Sequence, residues 1–169
     1  EGLILLRKTA ESGSVYAQYL LGVAFQNGTT GSKDLDKAFE WINRAAEANY
    51  SYAQSLLGSY YWDGLGTSQN YETAVLWFRR AAKLKNAHGI LMLGFAYKNG
   101  KGVPKNLEKA TMFYKESARL KNPIAYAYLA LLNTTGELQD TALTSTETFI
   151  DNAIKLSKKS SIIERAQVF

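Results

Sequence analysis

Histidine, cysteine and closely paired acids are the side chains most often used for catalysis or metal binding, and this chain is poor in them. His88 is the single histidine and Cys is absent. General-base work needs a group that orients the imidazole, and none can be read beside His88. A zinc centre draws several ligands from His and Cys, so no metal site is expected. No Gly-x-Ser-x-Gly or Ser-x-x-Lys occurs, so the usual activated serine arrangements are missing. Gly100-Lys101-Gly102 lacks the spacing of a phosphate-binding loop. Asp34 and Asp36 stand at a helix start, where the macrodipole accounts for them. The expectation is a chain with no catalytic residues, no cofactor and no enzyme activity.

Aromatic side chains are plentiful instead, at 12% of 169 residues. The chain is 46% hydrophobic and 21% charged, enough to bury a core and unlike a disordered sequence. No apolar run approaches the ~20 residues that cross a bilayer, so no direct membrane insertion is expected. The net charge of +5 is modest. Its cations gather near helix ends, as in Arg79, Arg80, Lys83 and Lys85, or Arg119 and Lys121. That scatter suits helix macrodipoles better than a continuous nucleic-acid stripe. The chain opens at Glu1 without an initiator Met or an apolar leader, which points to a removed leader or a fragment.

The elements that must position these aromatics come from an internal repeat. Gly22, Gly58 and Gly94 stand 36 residues apart, each preceded by Leu, and Leu129-Ala130 continues the series. Gly28, Gly64, Gly100 and Gly136 keep the same step, as do Trp41, Trp77, Phe113 and Phe149. The doublet Ala45-Ala46 returns as Ala81-Ala82 and Ser117-Ala118, and extends back to Thr9-Ala10. Agreement at so many columns without a gap marks a repeat architecture.

Each unit reads as two helices. In the third, Ala87 to Asn99 carries Leu91, Leu93, Phe95 and Tyr97, while Leu107 to Leu120 places Leu107, Ala110, Phe113, Tyr114 and Ala118 on one stripe. Asp34, Asn70 and Asn106 are N-cap types at equivalent positions, and Asn122 before Pro123 is a further start. Gly28, Gly64 and Gly100 can take the positive φ that ends a helix. Gly within the first helix costs about 1 kcal/mol relative to Ala, so Gly22, Gly58 and Gly94 imply a close helix crossing. The Ala doublets are the expected counterparts, with Trp41 and Trp77 beside them. A helix pair alone leaves an apolar face open, and stacking closes it into a solenoid.

Leu93 to Asn122 (LGFAYKNGKGVPKNLEKATMFYKESARLKN) resembles the Sel-1-like repeat family, a relative of the tetratricopeptide repeats. Leu93, Gly94, Tyr97, Gly100, Gly102, Val103, Lys109, Ala110, Phe113 and Ala118 carry the match, and the resemblance spans ~nine-tenths of the chain. It implies an all-α fold, a right-handed α/α solenoid of helix–turn–helix units, as one domain over 1–169. The units are read as 14–49, 50–85 and 86–121, with a degenerate one at 122–158 and a C-terminal capping helix or tail at 159–169. Residues 1–13 read as the second helix of a preceding unit whose first helix is missing, which points to a longer natural protein or a trimmed chain. The fourth unit departs from the pattern, with Ala130 for Gly and Asn133 for the aromatic. Some cysteine-rich members of the family are associated with penicillin binding, but this chain has neither their cysteines nor a serine–lysine motif.

The resemblance also implies that first helices line a concave surface where partners lie. Counting from each Leu-Gly pair, the positions expected to face outward are Tyr16, Tyr19, Val23 and Gln26, then Tyr52, Ser55, Ser59 and Trp62. In the third unit they are His88, Leu91, Phe95 and Lys98, and in the fourth Ile124, Ala127, Leu131 and Thr134. Their spacing places each set on one helix face, and the aromatic members are types enriched at binding hot spots. The expected function is a protein–protein interaction scaffold or adaptor that holds another protein or a peptide segment, with no nucleic acid. A bacterial immunity or inhibitor protein that neutralises a secreted toxin or enzyme is the alternative. The family's distribution points to a bacterial, exported protein.

Overall fold

The computed structural model describes residues 1–136, 148 and 150–158. Eight helices run in antiparallel succession: α1 (Gly2–Glu11), α2 (Val15–Asn27), α3 (Leu35–Glu47), α4 (Ser51–Asp63), α5 (Tyr71–Lys83), α6 (Ala87–Asn99), α7 (Leu107–Arg119) and α8 (Pro123–Thr134). Residues 150–158 are also helical, and no strand occurs among the described residues. Each first helix (α2, α4, α6) packs on its own second helix (α3, α5, α7), which then packs on the first helix of the next unit. The loop expected within 122–158 and the tail read at 159–169 lie outside the described residues.

Local chemistry explains why α2 to α7 are all 13 residues long. Asp34, Asn70 and Asn106 accept from the amides of Lys37, Thr73 and Lys109, so the second helices start at matching points. The first helices end on Gly28, Gly64 and Gly100 with φ of 78°, 73° and 68°. The second helices end the same way, which the lysines at two of the three corners concealed. Asn49, Lys85 and Lys121 take φ of 63°, 59° and 62°. At these corners the left-handed residue donates to the carbonyl three back, and the next residue to the carbonyl five back. Examples are Lys85 to Ala82 at 2.9 Å and Asn86 to Ala81 at 3.1 Å. The small doublets therefore supply the acceptors that close each corner.

Those doublets are not the counterparts of the helical glycines. A Cβ on Gly22, Gly58 or Gly94 would come within 2.7, 2.5 or 2.6 Å of Ile42, Phe78 or Tyr114, one residue past the Trp column. Each first helix thus offers a notch that one large side chain of the second helix fills, and all three fillers are fully buried. The doublets face the following unit instead. A Cβ on Gly89 would meet that of Ala81 at 2.7 Å, and Gln54 Nε2 donates to the Ala46 carbonyl at 3.2 Å. A small residue is needed there because a whole helix lies on it.

Candidate partner-binding face

The helices place the sixteen positions counted from the Leu-Gly pairs on one helix face, but that face looks along the array rather than into solvent. Gln26 Oε1 accepts from the hydroxyl of Tyr60, one unit on, at 3.0 Å. Ser59 Oγ lies 3.4 Å from His88 Nε2. Trp62 sits edge-on to Phe95, with centroids 5.9 Å apart, and Phe95 does the same to Tyr128 at 5.8 Å. The Lys98 ammonium stands 5.7 Å from the Tyr128 ring centre. These contacts form the joints between stacked units.

The expectation that all these side chains stand free is therefore corrected. Ser55, Trp62 and Leu91 are buried, at 4%, 7% and 4% exposure, with Trp62 set between Tyr71 and Phe78 of its own second helix and Phe95 of the next first helix. Tyr19, Gln26, Phe95 and Lys98 are half-buried against the next unit. Only in the fourth unit, where no described first helix follows, are Ile124, Ala127, Leu131 and Thr134 all exposed. One column stays open in every unit: Tyr16, Tyr52, His88 and Ile124, near the start of each first helix. Tyr16 and Tyr52 are each 59% exposed.

Tyr16 and Tyr52 belong to a cluster whose centre was not anticipated. Tyr50 lies between them, with centroids 6.2 Å from Tyr16, 5.1 Å from Tyr19 and 5.6 Å from Tyr52. Tyr50 occupies the N-cap position where Ser14, Asn86 and Asn122 cap their helices, and it makes no cap bond. The break in that column is the signal that could have found it. A cap of this kind typically contributes about 1 kcal/mol, so the aromatic stands in place of a favourable local interaction. Burial, and then the neighbouring tyrosines, push the phenols of Tyr19 and Tyr50 up from the ordinary tyrosine range.

Charge is sparse on this face. Across α2, α4, α6 and α8 the acidic and basic side chains are Asp63 and Lys98 alone, besides His88. Although the His88 side chain reaches the surface, the protein packed around its ring draws its pKa below the ordinary histidine range and favours the neutral form. Among the described residues no three of His, Cys, Asp and Glu come together to hold a metal, and no helix is long and apolar enough to cross a membrane. What the face offers is π-surface, phenol hydroxyls and little charge.

This architecture is that of an α/α solenoid with a small-residue notch in each unit. The Sel1 repeat model matches residues 15–50, 51–86 and 87–122, well over half of the chain, and the chain belongs to the Sel1 repeat family. A Sel1 repeat protein from Oxalobacter formigenes is 30% identical, with a TM-score of 0.79, over 90% of this chain and 63% of that one. The protective antigen c5321 of uropathogenic Escherichia coli, which has the same solenoid fold, is 31% identical with a TM-score of 0.74. That match covers 78% of this chain but 28% of the antigen, so the chain spans under two thirds of either protein. Helicobacter pylori cysteine rich protein B matches at 25% identity and a TM-score of 0.58, over 73% of this chain and 93% of its own. No curated protein matches this sequence. Sel1 repeat proteins generally mediate protein–protein interaction, and the family is in general a non-enzymatic scaffold.

Proposed function

We propose that this chain is a non-catalytic binding scaffold that holds a segment of a partner protein across the first-helix face, with the tyrosine cluster as its anchor. The observation that carries this reading is the exposed pair Tyr16 and Tyr52, gathered around Tyr50 at the expense of a helix cap. Tyrosines offer large contact area at low entropic cost and are over-represented at hot spots. The scarcity of charge favours a partner segment that is itself neutral and rich in hydrogen-bonding or aromatic groups, and gives a polyanion nothing to bind. Tyr19 packs on Tyr50 within the anchor, and His88 continues the open column of Tyr16 and Tyr52. The half-buried Gln26, Phe95 and Lys98 lie further along the first helices, and the buried Ser55, Trp62 and Leu91 belong to the packing between helices.

Co-purification from native cells, with and without Tyr16→Ala plus Tyr52→Ala, tests the reading. Both side chains are mostly in solvent, so the double variant should keep its thermal midpoint while its captured partner is lost at least tenfold. Undiminished capture would move the interface to the second helices or the loops.

A further inference from the structure

A second surface lies along one edge of the array, at the corners where a second helix gives way to the next first helix. Lys83-Leu84-Lys85 forms one corner, and Arg119-Leu120-Lys121 forms the next, one period later. At the two earlier corners the same columns hold Glu47-Ala48-Asn49 and Glu11-Ser12-Gly13. The sign of charge thus reverses along the edge, and an apolar side chain arrives with the cations. Leu84 is 49% exposed and Leu120 39%, and the cations on either side of each stand in solvent. No acid falls within 83–88 or 119–124. The two corners lie side by side. Lys85 Nζ reaches Glu116 of α7 at 3.2 Å, and Ser117 Oγ donates to the Ala87 carbonyl at 2.7 Å. Glu116 offsets one cation, but an exposed pair of this kind is weak. Helix dipoles account for cations in a last turn, yet they favour no leucine between them. One exposed leucine is ordinary; two in one column, each bracketed by cations, call for a reason.

We infer that this edge rests on an anionic membrane surface, with Leu84 and Leu120 entering the interface and Lys83, Lys85, Arg119 and Lys121 meeting lipid phosphates. The backbone favours a bilayer over an acidic protein segment as the occupant. The corner amides are already spent: Leu84 and Asn86 donate to the Ala81 carbonyl and Lys85 to that of Ala82. Leu120, Lys121 and Asn122 repeat the pattern on Ser117 and Ala118. An extended peptide laid there would find no backbone donor to pair with. A lipid surface asks only for protruding apolar groups ringed by cations. Contact of this kind needs no helix that crosses the bilayer.

Flotation of the 169-residue protein with lipid vesicles tests the inference. Phosphatidylcholine vesicles with about 30% phosphatidylglycerol should carry it, and phosphatidylcholine alone should not. Leu84→Ser plus Leu120→Ser should weaken binding by about tenfold or more, through the loss of two inserted apolar side chains. Lys83→Gln plus Arg119→Gln should also weaken it by about tenfold or more, since each cation near such a surface is worth about fivefold. That pair serves as the test if circular dichroism shows the leucine variant to have lost helicity. Lys33→Gln plus Lys105→Gln removes the same charge from loops of the opposite edge and should leave binding within about twofold. A nitroxide-labelled lipid should broaden the amide signals of 83–85 and 119–121 first. Tyr16→Ala plus Tyr52→Ala should float as the native chain does, so this edge and the tyrosine face stand or fall separately. Three results overturn the inference: no flotation with anionic vesicles, an equal loss on replacing Lys33 and Lys105, or broadening centred elsewhere. Binding of soluble poly-glutamate without flotation, equal in the native chain and the leucine variant, also overturns it, in favour of an acidic protein partner.

Discussion

Tyr114 shows how a repeated position can satisfy packing and leave chemistry unsettled. Its ring fills the third notch and stacks on Tyr128 at 5.0 Å, yet its hydroxyl is buried with no hydrogen-bond partner among the described residues. Burial pushes the phenol far up, consistent with a site that tolerates no charge. Phe78 does the same work in the second unit without the hydroxyl. An orphaned buried hydroxyl costs about 1–3 kcal/mol. Tyr114→Phe should therefore raise stability by about 1 kcal/mol in urea unfolding. A loss of stability would show that the hydroxyl has an acceptor after all. Tyr60 is the contrasting case: burial takes its phenol up to about 12, but its hydroxyl donates to Gln26. Residue type alone could not separate the two, because both are tyrosines on apolar faces. The same limit explains Trp62, which reads as a binding aromatic and is consumed by Tyr71, Phe78 and Phe95.

At the scale of the helix, start and stop chemistry was the most legible part of the sequence. Asp34, Asn70, Asn106 and Asn122 cap as their types and spacing imply, and Gly28, Gly64 and Gly100 end helices in the left-handed region. Asn49 is a type that favours the left-handed corner, but Lys85 and Lys121 were not legible, because lysine carries no signal for positive φ; the backbone bonds around it impose the conformation. The helical glycines imply close approach, and the structure supplies the partner. Gly58→Leu should destabilise by about 1–3 kcal/mol or more through overpacking against Phe78. Adding Phe78→Ala should return part of that loss in a double-mutant cycle, since the two side chains would then share one space. Strict additivity of the two variants would place the clash elsewhere.

For the whole molecule, the 36-residue period led directly to the solenoid, while the direction of the first-helix face could not be read from one unit. Spacing of three and four residues says which side chains share a face; what covers that face depends on the next unit's approach. That is why Ser55 and Leu91 are buried while Tyr16 and Tyr52, a turn earlier or less, remain open. In a stack of this kind stability is close to a sum of unit and neighbour terms. Amide exchange should accordingly be slowest in α4 to α6, which have neighbours on both sides, and faster in α1 and α8. Uniform protection from α1 to α8 would mean that the array opens as one cooperative block.

The corner between units has one further consequence. The residue that closes the second-helix turn at Asn86 is also the cap of the next helix, accepting from Gly89, and Asn122 repeats the arrangement. One residue thus punctuates two helices, in a column that only Tyr50 breaks, since it closes its turn without capping the next helix. Inserting a single residue inside a helix would rotate everything after it by about 100°, moving notch, filler and cap out of phase together. Inserting a whole unit would leave every junction with the neighbours it already knows. The fold has a reading frame of its own, counted in units of packing rather than in codons.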